Sequence, residues 1–123
     1  MKALNIEIRV ISPETIVLEI AGDVNIYNAN DLRREFDRHM TGGTRNFVLN
    51  FGKMTMIDSA GIGVLFTILN RVKNLPGKVL IVHARPNVVK LFEITKVAKF
   101  FNLLESEAEA IKILETVPAA GQN

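Results

Sequence analysis

The sequence predicts a single α/β domain, a mixed sheet of four or five strands with helices packed mainly on one face. Three observations predict it. Apolar residues alternate over the first twenty positions. Four later stretches repeat apolar residues at three- and four-residue steps. Two short, strongly apolar runs lie between those stretches.

The elements follow in chain order. Ile6, Ile8 and Val10 alternate with Glu7 and Arg9, and Ile16, Leu18 and Ile20 alternate again after Ser-Pro-Glu-Thr at 12–15. Period two on both sides of a proline-containing turn predicts a β-hairpin, broken by Gly22 and Asp23. From Asn28 the period changes: Ala29, Leu32, Phe36 and Met40 form one face of a helix that ends at Gly42 and Gly43. Arg33, Arg34 and Arg38 lie on its other side and read as a solvated face. NFVLNF at 46–51 predicts a buried strand. A second helical stripe, Ile62, Leu65, Phe66, Leu69 and Val72, ends near Pro76-Gly77, and VLIV at 79–82 reads as a strand covered on both faces. Beyond Pro86, residues 88–94 suggest a third helix. Phe100, Phe101 and Leu103 suggest a short edge strand or a turn, and 105–117 a last helix. The domain is therefore placed at 1–117, with 118–123 as a flexible tail.

Composition removes several classes of function. The 123 residues include no cysteine, so neither a disulfide framework nor cysteine chemistry is available. His39 and His83 stand alone, without metal-ligand spacing, and no metal or other cofactor is expected. The net charge of +2, with acids and bases interleaved, gives no footprint for nucleic acid. No apolar run approaches the roughly 18–20 residues of a membrane span, and no leader pattern opens the chain. A cytoplasmic domain, monomeric or weakly dimeric, without membrane or nucleic-acid partners, is the expectation.

The chemistry-bearing stretch is IDSAGIGVLF at 57–66. Asp58 or Ser59 suits a helix cap. Gly61 and Gly63 each cost about 1 kcal/mol against alanine inside a helix, so close approach of another backbone, from this chain or a partner, is the stronger reason for them. A phosphate-cradling turn is a second reading, but a single GxG is all that remains of such a motif. A GxSxG nucleophile is absent, and neither histidine stands in a partner motif. No enzyme is expected.

This stretch resembles the signature of the STAS domain, the fold of bacterial anti-sigma-factor antagonists. Asp58, Ser59, Gly61, Ile62 and Gly63 match its pattern, and the hairpin, Gly22-Asp23, VLNF, VLIV and the closing helix match its order. The resemblance implies a protein–protein switch that binds an anti-sigma factor. That partner is also a serine kinase, with the histidine-kinase-like ATPase fold, and phosphorylation regulates the complex. The position that the resemblance marks as acceptor follows the Asp-Ser pair and is Ala60 here, which has no hydroxyl. Either the site is not switched or Ser59 takes the role, and Ser59 is the reading favoured. The implied partner-facing residues are Asp23, Asn25, Asp58, Ser59, Ala60, Gly61 and Gly63; Asp23 and Asn25 serve equally as polar turn residues. Thr55 and Thr67 are further hydroxyls, Thr67 on the helix and packed. Alternative functions are a scaffold in another signalling or lipid-transport complex, or a weak nucleotide-binding domain using 58–63.

Overall fold

The computed structural model describes residues 3–115. The expected tail at 118–123 and the end of the expected domain at 116–117 lie outside them. Strands β1 (Asn5–Ser12) and β2 (Thr15–Val24) form the hairpin, and its period-two faces meet as read: Ile6 opposes Ile20, Ile8 opposes Leu18 and Val10 opposes Ile16. Helix α1 (Ala29–Thr41) buries Ala29, Leu32, Phe36 and Met40, the predicted stripe. It stops where Gly43 takes a φ of 108°, a conformation that glycine adopts at no steric cost. The remaining elements are β3 (Asn46–Asn50), β4 (Met54–Ile57), α2 (Ser59–Val72), β5 (Lys78–Val82), α3 (Pro86–Ile94), a 3-10 turn at Ala98–Phe100, β6 (Asn102–Leu104) and α4 (Glu107–Glu115).

The sheet therefore has six strands where four or five were expected. Its order is β1-β2-β3-β5-β6, with β4 beside the end of β2. β1 runs antiparallel to β2, and every other pairing is parallel. The strand missed in the sequence is β4. It is only four residues long, and exposed Thr55 and Met56 interrupt its apolar pattern, so no period is visible. Long β2 pairs first with β3, through Thr15–Glu19, and then with β4, through Gly22–Val24. The change of partner coincides with a register shift beside Gly22, whose φ is 91°.

The two faces of the sheet are unequal. One carries α1, α2 and α3 over a core that includes Leu18, Phe36, Phe47, Leu49, Leu65 and Phe92. Phe36 and Phe47 meet with ring centroids 4.6 Å apart. The other face is covered by α4, through Ala110 over Val17, Val48, Leu80 and Val82. Alternation within the continuous apolar strands thus serves both cores, as expected for buried parallel strands.

Polar side chains lock both ends of the central strands. At one end Asn46 donates to the Thr15 hydroxyl (3.2 Å) and accepts from the Lys78 amide (3.1 Å), tying β2, β3 and β5 together. At the other end the Glu107 carboxylate at the start of α4 accepts from Asn50 (2.6 Å) and from the Arg9 guanidinium on β1. The hydrogen bond from Arg9 is the largest influence on Glu107 and holds its carboxyl below the ordinary carboxylate range; the bond from Asn50 adds to this, and partial burial opposes both. Among the described residues no helix is long and apolar enough to cross a membrane.

Two outcomes follow from this architecture. A Cβ at Gly77 would stand 2.1 Å from the Arg45 carbonyl oxygen, so β5 cannot keep its place beside β3 with alanine there. Gly77→Ala is expected to lose about 1–3 kcal/mol in urea unfolding; an unchanged midpoint would contradict the packing. Glu107 binds protons less readily in the folded than in the unfolded chain. Its contribution to stability is therefore complete above the unfolded carboxylate pKa and disappears as pH falls through the folded one. Thermal melts of wild type and Glu107→Gln should differ at neutral pH and converge in acid. Parallel curves would show that the Arg9–Glu107–Asn50 link contributes nothing.

Candidate functional site

The turn from β4 into α2 and the loop from β2 into α1 lie side by side, and Asp58 joins them. One carboxylate oxygen accepts from the Ala60 (2.9 Å) and Gly61 (3.1 Å) amides and so caps α2. The other accepts from the Ile26 amide (3.1 Å), while the Asp58 amide donates to the Val24 carbonyl (3.0 Å). Asp58 therefore works inside the fold, and its position brings the two segments together.

The neighbouring loop is built by its own asparagines. Asn25 Oδ1 accepts from the Tyr27 amide (2.9 Å), and its carbonyl accepts from the Ala29 amide (2.8 Å). Asn28 Oδ1 accepts from the Asn25 amide (2.8 Å), and Asn28 Nδ2 donates to the Asp23 carbonyl (2.7 Å). Asn25 shapes the loop. Asp23 is exposed, and among the described residues its carboxylate has neither an ion pair nor a hydrogen bond.

Ser59 is the first residue of α2 and is exposed, with no hydrogen bond to its hydroxyl among the described residues. The two glycines, alike in the sequence, have opposite surroundings. Gly61 is buried, and a Cβ there would stand 2.5 Å from Ile57 Cγ1 and 2.9 Å from Val24 Cγ1. Its small size is required by this chain's own packing. Gly63 is exposed, and a Cβ there would meet nothing within 4 Å. Ala60 is half-buried against the core. Of the seven residues expected here, Asp23, Ser59 and Gly63 are thus outward, Asn25, Asp58 and Gly61 hold the scaffold, and Ala60 lies between.

Two sequence expectations change. Thr67 is exposed, its hydroxyl donating to the Gly63 carbonyl (3.2 Å), because it lies one turn beyond Gly63 on the outer face of α2. The helix start also has fewer open amides than expected for receiving an anion, since those of Ala60 and Gly61 already meet Asp58. The same occupancy weighs against a phosphate cradle at 58–63.

Sequence reading also missed three apolar residues at this surface. Ile26 is 71% exposed, Tyr27 73% and Met56 48%. Ile26 is bonded through its amide to Asp58, and Met56 pairs in register with Asp23. The available signal was that Ile26-Tyr27 belongs to no strand alternation and no helical stripe, so no element has a face to bury it. Asp23, Ile26, Tyr27 and Met56 are thus exposed on the β2–α1 and β4 side of the Asp58 link, and Ser59 and Gly63 on its α2 side; Tyr27 also lines a groove with Leu4 and Asn5 beside the start of β1. The histidines stand elsewhere, His39 in the last turn of α1 and His83 just after β5, so Ser59 has no imidazole base beside it.

Comparison with known proteins agrees with this architecture. Bordetella bronchiseptica BtrV, named as a candidate anti-sigma factor antagonist, is 28% identical over 97 residues, covering 79% of this chain and 84% of BtrV. The anti-sigma factor antagonist SpoIIAA in its unphosphorylated form superposes with a TM-score of 0.80 at 18% identity, covering 94% of this chain and all of that one. Its phosphorylated form gives 0.71 at 18% identity, over 89% and 99%. A Thermotoga maritima protein, also named as a candidate anti-sigma factor antagonist, gives 0.83 at 20% identity, over 89% and 94%. At these identities the solved structures speak for the fold. The family model that matches is the STAS domain, over residues 5–110, and this chain belongs to that family.

Proposed function

We propose that this chain is an anti-sigma-factor antagonist: a regulator that binds an anti-sigma factor and is switched by that partner's serine kinase activity. The observation that carries the reading is Gly63. An exposed glycine in a helix costs about 1 kcal/mol against alanine, and no described residue occupies the space beside it. A partner backbone pressed against α2 supplies the missing reason. The exposed apolar residues Ile26 and Met56, on the segments that Asp58 and β4 hold beside the start of α2, offer further contact area. The names of BtrV and SpoIIAA support the same assignment.

Ser59 is the proposed acceptor. Its hydroxyl is exposed and unengaged, whereas Ala60 offers no oxygen. A phosphate there would carry about −1.5 to −2 charges beside the positive end of α2, which favours an anion, and beside Asp58, which opposes one. These effects act against each other, so the fold would change little. At the interface the same dianion would face the partner, which would have to desolvate it. Phosphorylation would thus release the partner by blocking docking.

Incubation with the cognate kinase and ATP is expected to place phosphate on Ser59, and Ser59→Ala to abolish it. Phosphopeptide mapping to Thr55 or Thr67 with Ser59 untouched would contradict the assignment. Ser59→Asp should weaken partner binding about tenfold or more while moving stability by less than about 1 kcal/mol.

The glycine pair gives a sharper test. Gly63→Ala should raise stability by up to about 1 kcal/mol and yet weaken partner binding. Gly61→Ala should lower stability by about 1–3 kcal/mol through its clash with Ile57 and Val24. Full partner binding by Gly63→Ala would remove the main support for this surface.

A further inference from the structure

The outer edge of β1 is uncovered among the described residues. β1 pairs only with β2, and over Asn5–Ser12 it contains neither lysine nor proline, two of the usual devices that blunt a free edge. Beside it, a groove of about 350 Å³ runs between β1 and α1, floored by Ile6 and Ile8. Val10, on the same face of the strand, is 71% exposed. On the opposite face Glu7 lies directly across the hairpin from Glu19, a like-charge pair. Glu19 has Lys53 at 3.1 Å, whereas Glu7 has no ion-pair partner among the described residues.

We infer that this edge pairs with β1 of a second copy, antiparallel about a two-fold axis at Ile8, to form a homodimer with a continuous sheet. The strand's own sequence selects both the occupant and the register. Centred on Ile8, Glu7 stands opposite Arg9 of the second copy, twice by symmetry, and each Ile6 stands opposite Val10. The unpaired acid gains a cation, and the exposed valine gains an apolar neighbour. Centring on Glu7 would oppose Glu7 to itself, and centring on Arg9 would oppose two guanidinium groups; both are unfavourable. Arg9 already meets Glu107, and its five N–H donors leave capacity for a second carboxylate.

The rim of the groove obeys the same rule. Along α1, Asp31 pairs with Arg34 and Glu35 with Arg38, an alternation of sign that an antiparallel copy of α1 can match. Asp23, Ser59 and Gly63 do not belong to this edge, so the inference is independent of the proposed switch.

Sedimentation of the wild type at increasing concentration should show a reversible monomer–dimer equilibrium. Glu7→Arg places like charges opposite each other across the two-fold while removing the Glu7/Glu19 opposition within the monomer. It should weaken dimerisation about tenfold or more without lowering the melting temperature at concentrations where the wild type is monomeric. The double charge swap Glu7→Arg with Arg9→Glu, made together with Glu107→Gln so that the new carboxylate does not face the one Arg9 now meets, should restore the dimer. Because the chain has no cysteine, Ile8→Cys carries a single thiol, and mild oxidation should give a covalent dimer. A wild type that stays monomeric at every concentration, a dimer undiminished by Glu7→Arg, or an Ile8→Cys variant that does not cross-link would each overturn the assignment.

Discussion

The candidate site depends on the Asp58 carboxylate. It accepts three backbone N–H groups, two from the first turn of α2 and one from the loop leading to α1. Hydrogen bonds to a charged acceptor contribute about 1.5–3 kcal/mol each, well above the neutral average. The carboxylate does two tasks at once. It ends the irregular segment after β4 by capping a helix, and it fixes the distance between two chain segments far apart in sequence. Without it, α2 would lose its side-chain cap and the Ile26 amide its tie to the helix start, leaving the pairing of Val24 with Ile57 and the Asp58 amide bond to Val24 to hold the two segments.

The same constraint explains which parts of the molecule the sequence revealed. The hairpin and the first two helices were legible because each buries one face, so period two or period 3.6 is written directly in the apolar positions. β3 and β5 were legible for the opposite reason: burial on both faces leaves an unbroken apolar run. β4 was not legible. Its role is to continue the sheet beside β2 for three paired positions, Gly22–Val24, and then deliver the chain to Asp58. Neither task requires a full apolar face, and Thr55 and Met56 remain exposed.

The site was legible in outline and not in detail. Ser59 at an exposed helix start followed from the Asp-Ser pair and the stripe behind it. The difference between Gly61 and Gly63 could not follow, because it is decided by residues from elsewhere: Val24 of β2 and Ile57 of β4 close on Gly61, and no described residue closes on Gly63. One glycine permits α2 to lie against the sheet; the other is a cost that no contact among the described residues offsets. Ile26 and Tyr27 were passed over because sequence periodicity finds faces that are buried, and these side chains stand on a face that is not.

The proposed switch would divide the labour between rigid and exposed groups. The residues that set geometry, Asp58, Asn25, Asn28 and Gly61, spend their hydrogen bonds or their small size within the fold. The side chains left outward, those of Asp23 and Ser59, and the open face of Gly63 support little of it. A new charge on the Ser59 hydroxyl would therefore displace no hydrogen bond among the described residues. Its largest effect falls on whatever lies against the surface. A surface can act as a switch without unfolding its owner only when the two sets of residues are distinct in this way. Here the separation runs through a single helical turn, with buried Gly61 on one side and exposed Ser59 and Gly63 on the other.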